Sequence, residues 1–228
     1  MKYGLADLGT LAYGPCAELQ AEVLEQVASG SPGVLIFVEH PAVLTLGAGF
    51  HADNLLFTPA DYAKKGIEVV RTDRGGDVTF HGPRQLVVYP IFDVARHGKD
   101  LHRWMRDLEQ TIILAAAEFG VEARRFSPHT GVWVGERKLA AIGVKIRRWV
   151  SMHGVALNCD NDLSPFQLIV PCGIKGYGVT SLSCEVGRTV TMEDAKPTVR
   201  RAFEEVFGVE FEPVSLAATP REMPRAAG

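Results

Sequence analysis

The chain has 228 residues and a formal net charge of −3, with 24 basic and 27 acidic side chains spread along its length. That balance argues against a protein that binds nucleic acid by neutralising phosphates. Hydrophobic residues at 46% and charged residues at 22% are globular averages; they exclude disorder, a collagen-like repeat and a coiled coil, and the length suits one domain with a substantial core.

In chain order, Met1 to Leu8 lack the basic region and apolar run of a signal peptide. The spacing predicts an amphipathic helix over Ala17 to Val27 and a buried strand over Val34 to Glu39. After the apolar run Val43 to Leu46, the segment Gly47-Ala48-Gly49-Phe50-His51-Ala52 matches the dinucleotide-binding pattern G-x-G-x-x-A. No phosphate-binding helix is expected behind it, because Asp53 to Pro59 carries no helical stripe, so a nicotinamide or flavin site is not expected. A glycine-rich segment, Arg74 to Gln85, leads into a second buried strand over Gln85 to Phe92. That segment reads equally well as a surface connection or as a loop whose backbone N–H groups approach a ligand.

Leu101, Trp104, Met105, Leu108, Ile112, Ala115, Ala116 and Phe119 recur at three- and four-residue steps, predicting a helix that Gly120 ends. Gly131 to Val134, Leu139 to Ile146 and Val150 to Leu157 predict three consecutive strands, hence antiparallel pairing. Thr198 to Phe207 predicts a third helix, its start fixed by Pro197 in the first turn. Pro213 to Gly228 contains three prolines and four alanines without an apolar period, which predicts a flexible tail after a single domain over residues 1–212. The fold expected is mixed α/β: a mainly antiparallel mixed sheet flanked by helices.

No stretch approaches the ~20 apolar residues that span a bilayer. The expectation is a cytoplasmic protein with no membrane partner, whose four cysteines, Cys16, Cys159, Cys172 and Cys184, remain thiols. They contain no C-x-x-C pair, and no structural metal is expected. Pro171-Cys172-Gly173 places a thiol where a strand exits into a loop, a position that suits a nucleophile, although taken alone it reads as an inert core cysteine. Lys138 opens an apolar strand and either faces a pocket or extends into water. His153 reads locally as a core histidine.

Taken together, these segments resemble the lipoyl(octanoyl) transferase family. Its patterns appear as R-G-G-x-x-T-F-H-G-P-x-Q at Arg74 to Gln85, K-L-x-A-I-G at Lys138 to Gly143, H-G-x-A-L-N at His153 to Asn158, P-C-G at Pro171 to Gly173, and Thr180-Ser181-Leu182, all in the family order. One departure is Arg84, where the family usually has Gly. The resemblance implies a biotin/lipoate protein ligase-like fold with an apolar tunnel for an acyl chain. It implies Cys172 as the acyl-thioester nucleophile and Lys138 as its partner. By the same resemblance, Arg74, Gly75, Gly76, Asp77, Val78, Thr79, Phe80, His81, Ala141, Ile142, Gly143, Gly154, Val155 and Ala156 line the substrate. The implied donor is octanoyl-acyl carrier protein. The implied acceptors are lipoyl domains of 2-oxoacid dehydrogenase complexes and the glycine cleavage H protein, with no cofactor and no ATP. The rivals are an ATP-dependent ligase of the same fold, a cysteine hydrolase using Cys172 with His81 or His153, and a lipoyl-domain binding module without turnover.

Overall fold

The computed structural model describes residues 1–170 and 177–216. The first half contains β1 (Lys2–Thr10), α1 (Tyr13–Ala28), β2 (Val34–Glu39), β3 (Val43–Leu46), α2 (Pro59–Lys64), β4 (Glu68–Arg71), β5 (Val78–His81), β6 (Gln85–Ile91) and α3 (Leu101–Ala117). The second half adds β7 (Arg124–Phe126), β8 (His129–Val134), β9 (Arg137–Arg147), β10 (Val150–Asn158), β11 (Gly178–Val179), α4 (Leu182–Val186), α5 (Met192–Phe207) and β12 (Glu210–Pro213).

Nine strands form one long sheet in the order β12-β1-β2-β6-β10-β9-β8-β7, with β11 beside β9. The pairs β12–β1, β1–β2 and β11–β9 are parallel. The remaining pairs of this sheet are antiparallel, as the meander over β8, β9 and β10 predicted. A second, three-stranded sheet has the order β4-β3-β5.

β6 shows why the centre of the long sheet reads as an unbroken apolar run. Its residues are buried throughout, because both faces are covered. Leu86 and Val88 point to α3 and α5, where they meet Trp104, Leu108, Ile112 and Phe203. Val87 and Tyr89 point the other way, to Cys16, Val23 and Leu24 of α1. Leu44, Leu46, Tyr62, Val78, Phe80 and Phe166 form a third cluster at the small sheet.

Several expected boundaries move. α1 begins at Tyr13 rather than Ala17. α5 begins at Met192 rather than beside Pro197, so Pro197 sits inside the helix. Its start is set by a capping box in which the Thr191 side chain accepts from Asp194 N and the Asp194 carboxylate accepts from Thr191 N. Pro59 opens a short helix capped by Thr58. β1 and β12 carry no strand signal strong enough to predict them. The chain also stays on the domain past residue 212: Pro213 pairs with Leu5, Val214 N donates to Leu5 O at 2.9 Å, and Leu216 packs against the α1 core. The expected tail therefore starts no earlier than 217, outside the described residues. Among the described residues, no helix is long and apolar enough to cross a membrane.

Candidate active site

The glycine-rich segment is clamped between two backbones. Gly47 N donates to Asp77 O at 3.0 Å, Ala48 N to Arg74 O at 2.9 Å and Gly49 N to Gly76 O at 3.0 Å. On the opposite side Gly75 N donates to Val144 O at 2.9 Å. A Cβ on Gly47 would lie 2.2 Å from Gly76 O, and one on Gly143 would lie 2.7 Å from Gly75 O. The glycines thus serve close backbone contact. The N–H groups of Gly47 to Gly49 are spent on carbonyls, leaving the dinucleotide-like pattern none of the donors a phosphate requires.

Behind this clamp lies a cavity whose lining includes Arg74, Gly75, Gly76, Thr79, His81, Ala141, Ile142, Gly143, Gly154, Val155 and Ala156. Most of the expected substrate-lining residues therefore meet. Asp77 lies instead on an adjoining wide groove, where its carboxylate accepts from Val78 N at 2.7 Å, from His51 N at 3.3 Å and from the Asn54 amide. Val78 and Phe80 are corrections to the expected lining: strand alternation turns them into the small-sheet core, with Phe80 edge-on to Phe166 at 5.7 Å, while Thr79 and His81 face the cavity.

Arg74 is buried and donates through Nε and Nη2 to Thr45 Oγ1 at 3.0 and 2.8 Å and through Nη1 to Gly75 O at 3.0 Å, which fixes the loop. The Gln85 amide donates to Phe80 O and Asn158 Oδ1, leaving its oxygen to accept from His81 Nδ1 at 2.9 Å. Burial first, then the neighbouring His40 and Arg74, push the His81 ring down to about 3. It stays neutral and is a poor proton acceptor. That counts against the hydrolase reading through His81.

Lys138 owes its direction to a β-bulge. Trp133 pairs with Lys138 and Val132 with Ala140, so Leu139 is an extra residue on β9. Leu139 and Ala140 consequently both enter the α3/α5 core, and Lys138 turns to the same side as Ala141. Gly131, at φ +113°, makes room: a Cβ there would lie 2.6 Å from Ala140 O. Lys138 is 8% exposed, with Nζ 4.8 Å from the centre of the Trp133 ring. It borders both the wide groove and a small pocket beside Ala141 and Ala156.

Cys172 lies outside the described residues, but both flanks of its segment reach the site. Val170 N donates to Asn54 O at 2.9 Å, and Asn54 in turn holds Asp77. On the far side Tyr177 lines the groove, Val179 pairs with Lys138, and Thr180 N donates to Lys138 O at 3.0 Å. The other cysteines suit no such role. Burial pushes the Cys16 and Cys159 thiols up to about 12, and Cys184 sits on the surface of α4.

Tyr13, Asp73 and Tyr89 belong to this region without having stood out in the sequence. His153 does too, by an unexpected route. Its φ of +57° breaks the alternation of β10, so that both Met152 and His153 face α1. There Asp73 Oδ1 accepts from its Nε2 at 2.8 Å, and burial lowers its pKa against the opposing pull of Asp73. Arg84, the departure from the family pattern, has φ +68°, the left-handed region that favours glycine. It is held by Arg84 N to Glu39 Oε1 at 2.6 Å and by an ion pair to Asp160 at 3.0 Å.

The fold is that of the lipoate and biotin protein ligases. It superposes on a lipoate-protein ligase A bound with ATP (TM-score 0.79, 18% identity, 94% of this chain and 90% of that one). It also matches a bi-partite lipoate protein ligase from Thermoplasma acidophilum (TM-score 0.76, 18%, 94% and 88%). The model of the lipoyl protein ligase A/B catalytic domain matches residues 13–204, and the chain belongs to that family. Among its relatives is an octanoyltransferase of Geobacter metallireducens, 48% identical over 87% of this chain and 91% of the relative. Another, from Gloeobacter violaceus, is 49% identical over 82% and 81%.

Proposed function

We propose that this chain takes an octanoyl group from octanoyl-acyl carrier protein, holds it as a thioester on Cys172, and delivers it to a lysine of a lipoyl domain, with Lys138 handling the protons and without ATP. Octanoyl transfer in lipoate biosynthesis rests on octanoyltransferases 41% to 49% identical over most of the chain. The observation that carries the covalent route is local. The described chain before Cys172 ends at Val170, whose N donates to Asn54 O next to the groove residue Asp77, and resumes at Tyr177 to Thr180, stitched to Lys138.

The donor is already a thioester, so the first step exchanges one C–S bond for another. The Cys172 thiolate attacks the octanoyl carbonyl, the new C–S bond forms, the bond to the carrier sulfur breaks, and the leaving thiolate takes the proton of the Lys138 ammonium, which becomes a neutral amine. An ammonium at Lys138 favours the thiolate by its charge. In the second step the neutral amine of the acceptor lysine attacks the thioester carbonyl and its nitrogen passes one proton to the neutral Lys138 amine; the amide forms, Cys172 leaves as thiolate and the Lys138 ammonium is restored. Gly75 N is already committed to Val144 O, so Gly76 and Gly173 are the oxyanion donors to test. The reaction belongs in the cytoplasm, where such a thiol stays reduced.

Intact mass after incubation with octanoyl-acyl carrier protein tests this reading. A gain of one octanoyl group without ATP is expected, lost in Cys172→Ser and retained in Cys184→Ser. Free octanoate used only in the presence of ATP would move the protein to the ligases; release of octanoate without transfer would make it a hydrolase. Lys138→Arg keeps a charge but cannot give up its proton, so acyl-enzyme should form while amide formation stalls.

A further inference from the structure

The cavity behind the clamp shares Thr79, Ala141 and Ala156 with the small pocket that Lys138 borders, and its other end is lined by Tyr13, Tyr89 and His153. Its floor is the β9–β10 ladder. Moving away from Lys138, the paired positions are Ala141 with Ala156, Gly143 with Gly154, and Val144 with His153. At ~3.3 Å per residue, the stretch of β10 that lines the cavity, from Ala156 to His153, runs about 10 Å. An extended octanoyl chain, with C–C bonds of about 1.5 Å at tetrahedral angles, is about 9 Å long.

The far end is closed by rings. Tyr13 lies flat against His81, with centroids 6.2 Å apart and planes 14° from parallel. Its hydroxyl donates to Thr72 Oγ1 at 3.0 Å and lies 3.5 Å from His153 Nδ1, while His153 Nε2 is held by Asp73 at 2.8 Å. Beside them the Tyr89 hydroxyl meets His40 Nε2 at 2.9 Å, and His40 Nδ1 donates to Leu11 O at 2.7 Å. Polar side chains thus close an acyl cavity because their polar atoms are spent on one another, and the bonds between them hold the wall rigid.

We propose that this hydrogen-bonded ring wall, centred on Tyr13, sets the length of acyl chain the enzyme accepts, and that the small pair Ala141 and Ala156 keeps the passage to it open. The proposal rests on the octanoyl-transfer reading above. A longer chain must displace a bonded ring or leave its thioester short of Lys138, whereas a shorter chain leaves part of the cavity unfilled.

The test is the rate of acyl-enzyme formation with hexanoyl, octanoyl, decanoyl and dodecanoyl carrier-protein thioesters. Wild-type protein should peak at octanoyl. Tyr13→Ala should raise the decanoyl-to-octanoyl ratio by about tenfold or more, the discrimination a methylene or two commands in an apolar pocket. Tyr13→Phe, which keeps the ring, should keep the octanoyl peak. Ala141→Val, which narrows the passage at the Lys138 end, should slow uptake of all four chains without moving the peak, and Tyr13→Leu, which shortens the wall in the same direction as Tyr13→Ala, carries the test if Tyr13→Ala does not fold. An unchanged profile in folded Tyr13→Ala or Tyr13→Leu overturns the ring wall, as does a Tyr13→Phe profile displaced as far as that of Tyr13→Ala. If wild-type protein takes up no acyl group from any of these donors, the transfer reading itself falls, and the ruler with it.

Discussion

The two faces of the long sheet are buried by different means. On one face, α3 and α5 lay an apolar layer of Leu108, Ile112, Val199 and Phe203 against Leu86, Val88 and Val155. On the other, α1 and the small sheet enclose a cavity, and the groups around it include His40, His81, His153, Tyr13 and Tyr89. The first face is stabilised by area removed from water. The second holds polar groups that hydrogen bonds and exclusion of charge make tolerable, and irregular backbone borders its site: the bulge at Leu139, the left-handed His153 and the glycine clamp.

This contrast makes separable predictions. Leu108→Ala, on the dry face, should lower unfolding stability by about 2–5 kcal/mol in denaturant titration while leaving transfer per folded molecule close to wild type. A large loss of activity from that change would mean that the faces are coupled.

Acid should act through the other face. The His81 ring is neutral in the folded protein down to about 3 but takes a proton near 6.5 once unfolded, and burial lowers His40 and His153 in the same direction. Between those values the unfolded chain binds more protons. The stability these histidines contribute is therefore complete above about 6.5 and is lost as pH falls towards about 3. His81→Gln should flatten the fall in stability across that window by several kcal/mol. A slope identical to wild type would show that the ring is not held neutral.

Gly131→Ala should be smaller in stability, about 1–3 kcal/mol from the positive φ and the carbonyl of Ala140, yet large in activity, because it displaces the bulge that aims Lys138. Normal turnover in this variant would separate the bulge from the chemistry. The smallest effect should come from Arg84→Gly. Relief of about 1–2 kcal/mol of left-handed strain is offset by the backbone entropy of glycine and by loss of a surface ion pair worth about 0–1 kcal/mol. The net change should stay within about 1 kcal/mol in thermal or denaturant melts.

How legible each region was follows from the same physics. The dry face was readable because helix and strand periods repeat there: Trp104, Leu108 and Ile112 recur as the stripe of α3, and β6 shows the continuous run of a strand covered on both sides. The site was readable as motifs but not as geometry. Nothing in Lys138-Leu139-Ala140 announces a bulge, and no local rule gives a histidine φ +57° in the middle of a strand. The motif Arg74 to His81 is continuous in sequence, but the alternation of β5 sends Val78 and Phe80 into the core. β1 was hidden by Gly4, Ala6, Asp7 and Gly9, which dilute its pattern; pairing with β2 and β12 makes it a strand. The start of α5 is written in the sequence as Thr191-x-x-Asp194, a weaker signal than the Pro197 that the helix carries in its second turn.

The parallel pairing of β12 with β1 has a consequence for a chain emerging from the ribosome. Lys2 and the Glu212 that it meets are 210 positions apart. At translation rates of about 5–20 residues per second, β1 can pair with β2 early but presents its other edge open for on the order of tens of seconds before β12 is made. During that interval, nascent chains on neighbouring ribosomes share an exposed strand edge, so the window for edge-to-edge misassembly opens early and closes only when the last strand is made.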